Sequence, residues 1–446
     1  MFNKRKERGL FKIVTFFAIF AIFSCKQKTP IQTNDNENDN DASHLLLKTD
    51  TQINDNDSNL LILKTDSVKY TQKDKTDSDS NPIILKIENI TIKPIQTKNL
   101  FSSVEYIFLE TLPECLLNED NMEISVTDKY IVANNKFFGR GDGAYLFDRK
   151  TGKFLYEIGK KGQGPGEYQI IHSYPFNEKY ELFYVNSNLQ RVGIDINTNK
   201  EVERVFKMVS EDSFKQMPNN LRFSIDNIFK MDSLHYIAYK NNDTGNDTCL
   251  LVIFDKEENI VKTYPNHQKY KRYDEKSSPF NPGHFYSFNN QLFFKEYFYN
   301  DTVFRVNLDT IIPHIIFDLG KKKPDYTEQR NRDKTNWDCY WIGYVCETTK
   351  YILFSFAYHD SHDGYYNKKN GEFVASLGFV HEKDFYPPIH ISSINQYEEV
   401  IGVTTATKML EYIETNKQTN KQTKYPEKFN FLKEDDNPIV VIATLK

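Results

Sequence analysis

The densest group of ligand-capable side chains in the chain is His359-Asp360-Ser361-His362-Asp363. Imidazole and carboxylate together can hold a transition metal. At spacing this short, only a loop would turn His359, Asp360, His362 and Asp363 toward one centre. The competing reading is a solvated loop ahead of the hairpin at Tyr366-Asn367. A second group is aromatic: Trp337 and Trp341 flank Cys339, with Tyr340 and Tyr344 beside them. Alternation along a strand puts Trp337, Cys339 and Trp341 on one face. At a cavity mouth such a face could stack a sugar or a peptide, and elsewhere it is packing. Gly-x-Ser-x-Gly is absent, no Ser-His-Asp order can be assigned, and acidic residues are too many for spacing to single out a catalytic pair.

Gly159 to Tyr168, GKKGQGPGEY, invites a phosphate-loop reading. Its glycines at 162, 164 and 166 fit neither the dinucleotide pattern nor a Walker loop, and no helix pattern follows to supply a dipole. The segment is expected to be a turn between structural units, with Tyr168 packed beneath it.

The elements around these residues are strands. Aromatics make up 14% of the chain, β-branched residues are frequent, and long 3.6-residue periodicity is absent. One hairpin pattern recurs: an apolar or aromatic residue, Asp or Asn, a short turn, then an apolar strand. It appears at Phe147-Asp148, Ile194-Asp195, Phe254-Asp255, Val306-Asn307 and Tyr366-Asn367, with Ile413-Glu414 as a sixth candidate. The marks are 47, 60, 52, 60 and 47 residues apart. The Asp or Asn can accept a bond from the turn backbone. A β-unit repeated at this spacing predicts an all-β, six-bladed β-propeller with four-stranded antiparallel blades. A pair of β-sandwiches is the alternative. The ring must close on itself, and the strand near Ile83 to Ile90 is expected to join the last blade beside Ile439-Val440-Val441-Ile442-Ala443.

The ends of the chain carry a different message. A basic start (Lys4, Arg5, Lys6, Arg8) precedes an apolar run from Ile13 to Phe23 that is too short for a membrane helix. This is the layout of a secretory signal over residues 1–24. Ser24-Cys25 ends it as a lipobox would, with Phe23 as the departure, and Cys25 is the expected lipidation site. Residues 25–81 are polar and of low complexity, a tether rather than a packed domain. They hold two copies of a segment (Asn38 to Asp50, Asn54 to Asp66) whose third copy, from Asp77 to Glu88, opens the propeller domain at residues 82–446. The expected location is the cell envelope, anchored to a membrane, with the outer membrane favoured and its periplasmic or surface face left open.

The net charge of the whole chain is −5, and removing residues 1–24, with five basic groups and one acidic, leaves about −9. That balance argues against a nucleic-acid backbone as the expected partner, though it leaves room for a local basic patch. Besides Cys25 the cysteines are Cys115, Cys249, Cys339 and Cys346, without zinc-type spacing. Cys339 with Cys346 is the pair to consider, against buried thiols throughout.

Four segments carry a family resemblance: Val104 to Thr111 (VEYIFLET), Gly159 to Tyr168, Tyr299 to Val306 (YNDTVFRV) and Asp435 to Val440 (DDNPIV). In order and spacing the chain resembles the six-bladed β-propeller lipoproteins of gut-type Gram-negative bacteria, remote relatives of NHL-repeat propellers. The resemblance implies architecture and export and no agreed activity. The expected role is a binding or assembly module for a glycan, a peptide or an envelope protein. The alternative is a lyase or hydrolase with a metal near the axis, for which His359 and His362 are the residues to examine.

Overall fold

Five hairpins recur because an Asp or Asn closes each turn with its own side chain. Asp148 Oδ1 accepts the Thr151 amide at 2.8 Å, and Asp195 Oδ1 that of Asn197 at 2.7 Å. Asp255, Asn307 and Asn367 do the same for Asn259 (2.8 Å), Asp309 (2.8 Å) and Lys369 (2.9 Å). These side chains supply the turn bond that the backbone would otherwise leave unmade. In the first hairpin Gly152 has φ of +71°, and a Cβ there would stand 2.0 Å from the Phe108 carbonyl oxygen. Glycine is needed because another strand passes directly over the turn.

The computed structural model describes residues 81–446, apart from 119–121, 136–142, 163–166, 169–175, 178–179, 188–189, 208–224, 243–244, 258, 272–282, 329–337, 382–385 and 420–426. Among the described residues, six of the seven sheets, small and mainly antiparallel, are arranged as the blades of a propeller. Blade one runs from the axis outward as Met122–Val126, Tyr130–Asn135, Ala144–Asp148 and Phe154–Glu157. Blade two is Phe176–Asn177, Leu182–Ser187, Gln190–Asp195 and Lys200–Lys207, and blade three is Ile225–Lys230, His235–Lys240, Cys249–Asp255 and Ile260–Pro265. Blade four is Gly283–Phe288, Gln291–Glu296, Thr302–Val306 and Ile311–Asp318; blade five is Trp341–Glu347, Tyr351–Tyr358, Asp360–Asn367 and Phe373–Ser376. The central strands are apolar on both faces, because each blade packs against a neighbour on either side. Phe147, Ile237, Phe294 and Phe354 are all fully buried.

The segment near Ile83 to Ile90 does not join the last blade. Four N-terminal strands, β1 (Ile83–Lys86), β2 (Thr91–Ile92), β3 (Ile95–Gln96) and β4 (Phe101–Phe108), run outside the ring. β1 pairs in parallel with Ile311–Asp318 on blade four, β2 in parallel with Phe373–Ser376 on blade five, and β3 with Phe379–Val380. Only β4 reaches blade six, antiparallel to Ile439–Leu445. The short alternating pattern at Ile83, Leu85 and Ile87 fixes one buried face and does not say which blade edge it covers. Leu85 and Ile87, both almost fully buried, share a cluster with Ile315 and Phe317 of blade four.

The sixth hairpin, expected at Ile413-Glu414, is a helix instead. Blade six is Ser393–Ile394, Glu399–Thr404, Ile439–Leu445 and β4, and α1 (Ala406–Thr419) connects its second and third strands. Ala406, Met409 and Ile413, spaced for one helical face, are buried, and the last two pack with Phe429 and Ile439. The Thr405 hydroxyl accepts the Lys408 amide at 3.1 Å and caps the first turn. Blade six takes its outer strand from the other end of the domain, so it has no need of a sixth outer hairpin.

The expected turn at Gly159 is present. Gly159 has φ of +66°, and Tyr168 is fully buried beneath it. Residues 163–166 of the same loop lie outside the described residues.

If the N-terminal belt is docked as described, Leu85→Ala should destabilise the domain by about 2–4 kcal/mol through lost burial and a cavity. Ile84→Ala, at a side chain 59% exposed, should cost about 0.5 kcal/mol or less. Urea unfolding of the two variants measures both, and equal effects would refute the docking.

Candidate functional site

The first strand of every blade faces the axis, and together these strands enclose a cavity of about 880 Å³. Residues from all six blades border it, among them Glu123, Asn177, Phe229, His284, Tyr344 and Ser393. It extends from His284, near the start of its strand, to the Asn289–Gln291 turn at the other end. Asn289 and Asn290 have φ of 49° and 58°, so the two asparagines form the tight turn between Gly283–Phe288 and Gln291–Glu296.

Among the described residues, four at the cavity bury a side-chain polar atom that has no hydrogen-bond partner. They are Asn177 (both amide atoms), His284 (Nδ1), Tyr286 (hydroxyl) and Ser393 (hydroxyl). His284 Nε2 lies 2.7 Å from the Val345 carbonyl, so Nε2 donates. Burial holds the imidazole neutral, with its pKa pushed down to about 3. Nδ1 of the neutral ring is therefore a bare acceptor. Tyr344 stacks on the ring at 4.8 Å and Tyr297 lies at 5.0 Å. Directly across the ladder from His284 is Lys295, fully buried. Burial draws the Lys295 pKa down to about 7, and its ammonium donates to the carbonyls of Glu296 and Asn300.

The acids at the cavity are engaged by protein groups. Glu347 meets Nε2 of His314 and Nζ of Lys368, both at 2.7 Å. Glu398 accepts from the amide and hydroxyl of Thr349, both at 2.7 Å. Among the described residues, no group of three or more His, Cys, Asp or Glu is arranged to hold a metal.

The residues singled out from the sequence lie elsewhere. His359 is the tip of the turn between Tyr351–Tyr358 and Asp360–Asn367, with φ of 58° and an exposed side chain. Asp360 begins the next strand, and its carbonyl accepts from His362 Nδ1 at 3.0 Å. His362 is buried and stacks on Phe356 at 4.9 Å. Asp363, also buried, bonds His390 Nδ1 at 2.8 Å and the Ile391 amide at 3.2 Å. The two are adjacent in a strand, so they face opposite ways and do not converge.

Trp337 lies outside the described residues. Trp341 begins the inner strand of blade five and meets Tyr299 edge-on at 4.9 Å, in an aromatic row that continues to Tyr326. Cys339 precedes that strand, so the expected single strand face begins only at Trp341. No disulfide forms among the described cysteines: Cys115, Cys249 and Cys346 are buried and Cys339 half-buried. Cys25 lies outside the described residues.

The axial residues were missed because inner strands carry no turn mark of their own. The legible signal was Asn289-Asn290 between two apolar runs, which marks the start of the fourth unit.

The comparisons with known proteins agree with this architecture. The family described as a domain of unknown function, DUF4934, matches residues 82–444, and the chain belongs to it. No curated protein matches the chain. A solved structure from Bacteroides fragilis, described as an exported protein, is similar with a TM-score of 0.56 at 15% identity, over 82% of this chain and 100% of that one. A DUF4221 family member from Bacteroides vulgatus has a TM-score of 0.45 at 9% identity, over 78% and 97%. Among the described residues no helix is long and apolar enough to cross a membrane.

Burial pushes the Glu347 pKa up, but the bonds from His314 and Lys368 more than reverse this and leave it below the usual value. Such a carboxylate adds stability above its unfolded pKa and loses it as pH falls through the folded one. Glu347→Gln should therefore lower stability by about 3 kcal/mol at pH 7. The gap to the parent should narrow below about pH 4. Urea unfolding at pH 7 and at about pH 3.5 measures this, and an unchanged gap would rule the ion pair out as the cause.

Proposed function

We propose that this chain is an exported, lipid-anchored binding module of the cell envelope, with the axial cavity as its binding site. The observation that carries the reading is the set of unpartnered atoms on Asn177, His284, Tyr286 and Ser393, all at residues bordering one cavity. An unmade hydrogen bond of this kind costs about 1–3 kcal/mol. Buried polar groups are otherwise satisfied almost everywhere, and a concentration of exceptions in one concave place marks a site that gains partners on binding. The basic start, the short apolar run and Cys25 support export and acylation. Two or more acyl chains at Cys25 would hold the domain firmly, with residues 26–81 as spacer. The outer membrane and the NHL-like ancestry belong to the same proposal and rest on the four resembling segments.

Two experiments address the two halves. Cys25→Ser should move the protein out of the membrane fraction of fractionated cells; retention there would end the anchor. Tyr286→Phe, which deletes one unpartnered hydroxyl, should raise stability by about 1 kcal/mol in urea unfolding. A loss of that size would show that the hydroxyl is already bonded within the protein and is not held for a ligand.

A further inference from the structure

The chemistry around the axis narrows the class of ligand, on the reading that the cavity is the binding site. We infer that the axial cavity takes an uncharged, hydroxyl-rich molecule, a neutral sugar of one or two rings, seated against His284, Tyr297 and Tyr344.

The first argument is the direction of the unmet bonds. His284 donates from Nε2 to Val345, so Nδ1 can only accept, and the ligand must bring a donor to it. A phosphate monoester dianion or a carboxylate has acceptors only and leaves Nδ1 unmet. Asn177 requires the reverse as well, an acceptor for its nitrogen and a donor for its oxygen. The hydroxyls of Tyr286 and Ser393 can each give or take. A sugar hydroxyl both donates and accepts, so this one kind of group meets the needs of all four residues. An ammonium ligand would satisfy Nδ1 and the Asn177 oxygen but not the Asn177 nitrogen.

The second argument is charge. A lone lysine, Lys408, and no arginine is found among the described bordering residues. Lys295 lies behind His284 with its ammonium turned to two backbone carbonyls, so it offers no cation to an anion. Glu347 is balanced by Lys368 and bonded by His314, Glu398 accepts two bonds from Thr349, and Glu123 has a partner of its own, so none of the three described bordering acids stands free for a cationic ligand. An ion entering here would lose its hydration without gaining a matched partner.

The third argument is shape. The half-buried Tyr344 and Tyr297, packed around the buried ring of His284, form an aromatic wall along one side of the cavity. The exposed amides of Asn289, Asn290 and Gln291 stand at one end. An apolar ring face opposite a rim of hydroxyls is the two-sided surface of a pyranose. It fits a stacking wall combined with an amide-lined end, and the volume of about 880 Å³ accommodates one or two such rings.

The test uses the full mature chain in detergent, titrated calorimetrically with neutral mono- and disaccharides, the matching uronic acids, the matching amino sugars and inorganic phosphate. The same titrations are run on Tyr297→Ala, which removes part of the wall, and on Gln291→Ala, at an exposed turn where unfolding is not expected. The inference predicts binding of at least one neutral sugar, at least tenfold tighter than its uronic acid or amino-sugar counterpart. Affinity should fall about tenfold in Tyr297→Ala, the order of one lost aromatic contact. It should fall measurably in Gln291→Ala with an unchanged melting temperature. Binding of only the charged probes, weakened by the same variants, would overturn the ligand class and leave the axial site standing. Binding that neither variant alters, or binding of no probe at all, would overturn the class and the axial reading together.

Discussion

A ring of blades holds only if its last sheet is completed by a strand from the other end of the domain. Here β4 supplies that strand, paired with Ile439–Leu445 from Ile439–Phe108 to Leu445–Phe101. The junction is secured by one side chain, Asn437, which is almost fully buried. Its amide nitrogen donates to the carbonyls of Glu110 (2.8 Å) and Cys115 (2.9 Å), and its oxygen accepts the Leu117 amide at 2.8 Å. The start of the closing strand is thereby tied to the chain that enters blade one. Gly152 lets the first outer hairpin slide under β4, where the Glu110 amide donates to the Gly152 carbonyl at 2.8 Å. The Asp-Asp-Asn-Pro segment and the Thr-Gly turn, far apart in sequence, serve the same closure.

Closure shapes everything inside and outside the ring. Outside, β1 and β2 lie on the edges of blades four and five and β3 pairs with Phe379–Val380 before β4 closes blade six, so the domain guards exposed strand edges with its own N-terminal segment. Inside, six first strands are held around an axis they cannot fill. Most blade residues are sealed by an apolar neighbour on either side, whereas the first strands border the axial cavity. Polar atoms survive there without partners because the ring geometry, rather than local packing, sets their positions.

The architecture was legible because its signals are local. An Asp or Asn followed by a short turn is the same physical device in five blades, and each was readable within a few residues. The closing topology was not legible: β1 shows one buried face in sequence, and several blade edges would accept that face equally well. The helix at Ala406–Thr419 was misread because Ile413-Glu414 imitated the hairpin mark, although Ala406, Met409 and Ile413 had helical spacing. The cavity residues were hidden for a different reason. His284 and Asn177 acquire their meaning only when blades distant in sequence meet at the axis, while the conspicuous His359–Asp363 run is pulled apart by strand alternation.

The central claim is that the ring leaves a set of polar side chains on its axis with bonds to give. A high-resolution crystal structure of the ligand-free mature chain tests it most directly. The account predicts an open axial space, with the Asn177 amide, His284 Nδ1 and the hydroxyls of Tyr286 and Ser393 bonded to no protein group. Finding those four side chains bonded to protein groups, with the axial space filled by neighbouring side chains, would contradict it.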